Sequence, residues 1–497
     1  MAPAILHLSL GCSSTTRACI SEERNQEKVK LLDNIKSIKD KTVISNSQES
    51  KHHKLPPLVS ALKASSEQKV ASFHFPGHNR DAQKQAAELF GATETWFLVG
   101  GTTCGIQASV MATCSPGDTL ILPRNSHISA FSSMVLSGVI PKYITPEYDS
   151  DWDIASGVTP SQVEKAMKEL ETKGQKPSAV LITSPTYHGI CTNLQQISSL
   201  CHSQNTPLIV DEAHGAHFAF HNSFPLSALQ QGADLAIQST HKVLSSLTQS
   251  SMLHVSGNII NREKICQCLQ TLQTTSPSYL LLASLDASRA QISENPKIFD
   301  KAVEIATEAK SLIKKIPGIG ILDSGVNIGI DPLRITVGVW ELGISGFEAD
   351  DILYENYGVV SELVGTRSIT FAINLGTRRD DVVRLVSGLK YLSESRIPIP
   401  IPIPIPNDVR VFMGMCSEMR LSPREAFFAS KKKVSFRESV GEICGELVCP
   451  YPPGIPLLIP GEVITEVVLR YLMEVKSNGG FISGAADSSL STIVVCS

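Results

Sequence analysis

The sequence lacks any apolar run long enough to span a bilayer. Its longest strand-like runs, such as Leu120-Ile121-Leu122, are short and read as buried strands. It also lacks a basic surplus: the formal net charge is -4, which gives no electrostatic case for nucleic acid as the main partner. Twelve cysteines are scattered without a C-x-x-C pair. Cys266 and Cys268 are too close for a usual zinc pair and no histidine pair follows them, so neither a disulfide scaffold nor a metal centre is expected. A Walker A loop and a Rossmann G-x-G-x-x-G are missing too. What remains is an ordinary globular composition, 42% hydrophobic and 19% charged, in a chain of 497 residues with room for more than one domain.

Residues 1–50 differ from the rest. Met1 to Ile20 is rich in Ser, Thr and small apolar residues, with Arg17 and no acid, before a charged stretch ending in Lys51-His52-His53-Lys54. This composition fits a transit peptide for a chloroplast or other organelle, or a disordered tail on a cytoplasmic protein. From about Leu55, apolar runs alternate with helical stretches, predicting a mainly parallel α/β sheet over 55–320. A smaller α+β lobe is expected over 321–396. Pro at every second position from 397 to 407 removes backbone donors and predicts an extended linker. A small C-terminal module, 408–497, completes the chain.

Four pieces carry chemistry. Asp211 follows the apolar strand ending at Val210, where open α/β sheets place ligands. Alone it also fits a cap or turn residue. Ser239-Thr240-His241-Lys242 follows the apolar stretch Ala233 to Ile237. A buried lysine near positive charge becomes a neutral nucleophile, and the hydroxyls before it can bond a phosphate. Gly100-Gly101-Thr102-Thr103-Cys104-Gly105 opens a helix whose amides suit a phosphate dianion, although a plain glycine turn reads the same. Arg124-Asn125-Ser126-His127 lies just past a strand end and offers a flat imidazole for stacking. Acid, lysine, phosphate turn and imidazole together point to pyridoxal 5'-phosphate (PLP). Lys242 would hold it as a Schiff base, and Asp211 would keep its pyridine nitrogen protonated.

These pieces resemble the Orn/Lys/Arg decarboxylase family of fold type I PLP enzymes, over roughly Leu55 to Leu472. Phe75-Pro76-Gly77-His78, Ser184-Pro185-Thr186-Tyr187-His188-Gly189, Thr275-Ser276-Pro277-Ser278-Tyr279, Ser422-Pro423-Arg424-Glu425-Ala426 and Pro460-Gly461-Glu462 agree with it. The wording from Asp211 to His217 is similar to the compact, biosynthetic-type members involved in polyamine biosynthesis. The resemblance implies a PLP-dependent transferase-like fold and decarboxylation of arginine, lysine or ornithine, with no ranking among the three. It implies that His127 stacks on one ring face, with Ala213 on the other, and that His214 lies near the phenolic oxygen and the substrate carboxylate. Thr102, Thr103, Ser239 and His241 would hold the phosphate, and Lys242 or His241 would return the proton. Members work as dimers or higher even oligomers, which would let Ser276 and Ser278 reach the partner's cofactor. Glu446 would face a basic substrate side chain, or else be a surface acid. One departure stands out: after Arg80 the chain passes at once to Asp81-Ala82-Gln83, where members usually carry a longer stretch. That shortening also admits an inactive or regulatory homologue associated with an active subunit.

Overall fold

The computed structural model describes residues 56–67, 76–323, 329–395, 418–451, 456–477 and 481–497. The expected leader, the alternating-proline linker, the first ten residues of the C-terminal module and Pro452 to Ile455 lie outside the described residues.

Seven strands form the central sheet: β1 (Glu94–Leu98), β2 (Thr119–Pro123), β3 (Ile140–Ile144), β6 (Pro177–Thr183), β7 (Leu208–Asp211), β8 (Leu235–Gln238) and β9 (Ser251–Val255). Between β3 and β6 lies a short antiparallel pair, β4 (Tyr148–Asp149) and β5 (Ile154–Ala155). The sheet order is β1-β9-β8-β7-β6-β2-β3. The run from β8 to β3 is parallel, while β9 is antiparallel to both of its neighbours. The expected mainly parallel sheet is present.

Alternation along the strands explains why both faces are covered. Leu120, Leu122, Leu181, Ile209, Leu235 and Ile237 join one buried cluster, whereas Ile121, Val180, Ile182, Leu208, Val210 and Ala236 join another. Successive strand side chains point to opposite faces, so apolar residues on both demand helices above and below. The helix Gly101–Thr113 supplies one cover, with Ile106, Ala108 and Val110 in the first cluster. It packs very close: a Cβ on Gly105 would lie 2.6 Å from Ile237 and 2.7 Å from Leu98. The helix Pro76–Phe90 runs unbroken through Arg80-Asp81, the point where the sequence is short.

The small lobe is an antiparallel sheet of β10 (Gly320–Ile321), β11 (Arg334–Gly338), β12 (Leu363–Val364) and β13 (Ser368–Ala372), in the order β10-β11-β13-β12. The helices Gly346–Tyr357 and Arg379–Glu394 pack on it through Leu353, Leu385 and Leu389. The C-terminal module pairs β14 (Lys431–Ser435) with β17 (Thr492–Cys496), and β15 (Cys449–Tyr451) with β16 (Phe481–Ser483). Its core gathers Val448, Leu458, Val468, Leu472 and Ile493. No helix among the described residues is long and apolar enough to cross a membrane.

Candidate active site

The site is built on neighbouring strand ends. Asp211 closes β7, buried, and its carboxylate accepts the Ala213 amide at 3.2 Å. Next to it, β8 ends at Gln238 and passes through Ser239 into the short helix Thr240–Val243, which carries His241 and Lys242. Parallel pairing of Asp211 with Ile237 sets the two strand ends side by side. Thr102, in the first turn of Gly101–Thr113, lies 2.6 Å from the Ser239 hydroxyl and 3.0 Å from that of Ser251 at the start of β9. Three hydroxyls thus meet at a helix N-terminus, a setting that suits a phosphate group. Gly101 turns into that helix with φ of +76°, a value glycine adopts without strain.

Three imidazoles surround the lysine. Lys242 Nζ lies 3.0 Å from His214 Nε2, and the Tyr187 ring is 4.6 Å from that of His214. His127 caps the helix Ile128–Ser137, its Nδ1 accepting from the Ser129 amide at 3.2 Å. His241 donates from Nδ1 to the Ser250 carbonyl at 2.8 Å. From the small lobe, Arg334 at the start of β11 donates to His214 Nδ1 at 2.9 Å and faces Glu362 at 3.3 Å.

Burial governs the electrostatics here. Desolvation pushes the Asp211 carboxyl up, against the opposing pull of His127, Lys242 and the Ala213 amide. It pulls the Lys242 amine down although the residue as a whole is exposed; Asp211 and Glu362 oppose that shift and Arg334 reinforces it. His214 falls well below the usual imidazole range, first by burial and then because Lys242 and Arg334 face it. His127 and His241 are also lowered, chiefly by desolvation. At neutral pH the cluster is a set of neutral imidazoles around an amine that ionises with difficulty.

Two matches place this geometry in a family. The profile described as Orn/Lys/Arg decarboxylase, major domain, matches residues 79–331, and that of the family's C-terminal domain matches residues 409–482. The chain belongs to the Orn/Lys/Arg decarboxylase family. Within it, the arginine decarboxylase of Halalkalibacterium halodurans is 38% identical over 85% of this chain and 86% of that protein. The arginine decarboxylase of Bacillus subtilis is 34% identical over 88% of this chain and 97% of that protein. In fold, the chain is similar to the lysine decarboxylase LdcF of Francisella novicida, with a TM-score of 0.75 at 22% identity over 89% of this chain and 81% of that one.

Seen as a family member, the chain brings most of the residues singled out from sequence into one place. Asp211, Lys242, His127 and His214 act on one another electrostatically, and Thr102 and Ser239 share a hydrogen bond. Ala213 is buried two residues beyond Asp211. Thr103 is exposed, one residue beyond Thr102. Ser276 is exposed, and Ser278 caps the helix Tyr279–Glu294. Glu446 requires correction. It is neither turned toward a substrate nor a surface acid: its two carboxylate oxygens accept the Ala486 and Val494 amides at 2.7 and 2.8 Å, tying the C-terminal module together. Sequence reasoning missed Ser251, Arg334 and Glu362. Tyr187 sat inside a quoted motif without a role.

Proposed function

We propose that the protein is a PLP-dependent decarboxylase of a basic amino acid, and that arginine is its substrate. The observation that carries this reading is the meeting of Asp211, Lys242 and the Thr102-Ser239-Ser251 hydroxyl cluster on adjacent strand ends. The residues fit the cofactor. A buried acid whose pKa is raised by burial calls for a cationic partner, as a protonated pyridine nitrogen is. The hydroxyl cluster at a helix N-terminus calls for an anion.

When bound, PLP supplies a carbonyl that links covalently to amines and a ring that accepts the electron pair left when carbon dioxide departs. The remaining roles belong to the chain. Lys242 holds the cofactor through its amine. Asp211 holds a proton at the ring nitrogen. Thr102, Ser239, Ser251 and the first amides of Gly101–Thr113 bind the phosphate, with Thr103 and His241 close by. His127 and Ala213 pack on opposite ring faces, and His214 orients the substrate carboxylate. Lys242 or His241 returns a proton to the substrate carbon. Arginine is favoured because relatives that bear the name arginine decarboxylase are 34–38% identical, against 24% for the Escherichia coli protein named constitutive lysine decarboxylase.

The test is to supply purified protein with PLP and arginine, lysine or ornithine separately, and to measure carbon dioxide and amine. Agmatine from arginine is expected. Amine from lysine or ornithine alone would overturn the substrate, and no product from any of the three would overturn the activity. Borohydride should fix the cofactor on Lys242, mapped by mass spectrometry. An even-numbered oligomer and an organellar address for residues 1–50 belong to the same proposal. Light scattering tests the first, and a reporter fusion of those residues the second.

A further inference from the structure

Arg334 reaches the site from the other lobe, and its placement has a consequence for protons. A guanidinium has donors and no acceptor. His214 Nδ1, 2.9 Å from Arg334, therefore accepts and carries no hydrogen. A neutral imidazole carries one hydrogen, so it sits on Nε2. That nitrogen lies 3.0 Å from Lys242 Nζ, and its hydrogen points at the lysine. An ammonium offers no lone pair; only a neutral amine can accept this bond. We propose that Arg334 is a positioning residue that fixes the tautomer of His214 and thereby keeps Lys242 as a neutral amine with an engaged lone pair.

The surroundings are consistent with this. Asp211 and Glu362 favour the charged lysine, whereas burial and Arg334 oppose it. His214 also faces His127 and His241, and Tyr187 covers both His214 and Lys242 with its ring. His214 is fully enclosed and its pKa lies well below the usual range, so it does not take up the second proton that would break the bond to Arg334. Arg334 touches His214 and Glu362, and acts on the lysine through the imidazole. Its value for cofactor capture rests on the reading of Lys242 above. The protonation state itself belongs to the chain alone.

The experiment uses the full-length chain freed of cofactor. Nitrogen NMR of histidine-labelled protein, with His214 identified by its loss in His214→Asn, reports the tautomer directly. An Nε2–H ring in the wild type is expected, and an Nδ1–H ring there would overturn the proposal with no Arg334 variant needed. In Arg334→Met the ring is released to the Nδ1–H form, Nε2 becomes an acceptor, and the ammonium gains a partner. The pH midpoint of Lys242 acylation, read by mass spectrometry, should then rise by roughly one unit or more. A tautomer switch with an unmoved midpoint would overturn the coupling. Arg334→Lys keeps a donor-only cation and should restore both readings; failure to restore them counts against the donor's role. Borohydride mapping of Lys242 is independent of all these outcomes, so a failure here is distinguishable from a failure of the cofactor reading.

Discussion

Asp211 and Asn have nearly the same shape, which makes the substitution Asp211→Asn a clean probe of charge. The amide can still accept from Ala213, but it cannot hold a proton on a ring nitrogen. Carbon dioxide release at saturating PLP should fall by ~10²-fold or more, the size of loss typical when one electrostatic partner of a reacting centre is removed. Borohydride should still mark Lys242. Loss of the mark would mean that Asp211 acts in binding rather than in chemistry. Asp211 and Lys242 were legible because each directly follows an apolar strand run, and strand ends are where α/β sheets do chemistry. Arg334 was not legible. It meets His214 across 120 residues, and no spacing rule links a strand start in one lobe to a loop in another. Glu446 was misread for a similar reason. Its amide partners, Ala486 and Val494, lie 40 and 48 residues on.

At the scale of elements, the strands holding the site are joined by a buried polar row. Thr95 on β1 meets His254 on β9 at 2.8 Å, His254 meets Gln238 on β8 at 3.1 Å, and Gln238 meets Glu212, just beyond β7, at 2.8 Å. Burial lifts the Glu212 carboxyl to about 8 and drops His254 to about 3, so the row is neutral at pH 7. The folded pKa of Glu212 lies above its unfolded value. The folded state therefore holds the extra proton, and stability is lost as pH rises from about 4.5 toward 8. Glu212→Gln keeps the neutral shape and removes the titration. Denaturation midpoints should lie within ~1 kcal/mol of wild type at pH 5 and fall less than wild type by pH 9. A parallel fall would sink the assignment. Gly105→Ala tests the helix above these strands: with 2.6 Å available at Ile237, about 1–3 kcal/mol should be lost in urea denaturation. The elements found from sequence were those with plain apolar runs. β9 was passed over because Ser251 and His254 break the run, and their partners Thr102, Thr95 and Gln238 are remote. β3 was passed over too, since Pro141 reads as a breaker although an edge strand tolerates it.

For the molecule as a whole, the C-terminal module is fastened to the large domain through one buried cation. Arg124, just past β2, pairs with both oxygens of Glu462 at 2.6 and 2.7 Å. It also donates to the carbonyls of Pro456 and Leu457 at 3.1 and 3.0 Å. Both side chains are buried, and His127 follows three residues later. The pairing joins residues 338 apart, so the motif containing Glu462 and the stretch containing Arg124 were visible separately but their union was not. Removing one partner strands a buried charge, and Glu462→Ala should cost about 3–5 kcal/mol. In a chain of several lobes that loss appears as local opening rather than in one global midpoint. Hydrogen exchange should accelerate in 456–463 and in 123–127 together, and PLP affinity should drop because the second segment carries His127. Acceleration confined to the C-terminal side would show that the module is not what holds the His127 loop. The double variant Arg124→Met with Glu462→Leu removes both charges and should recover most of the protection, because a well-packed apolar pair avoids the desolvation that the lone arginine suffers.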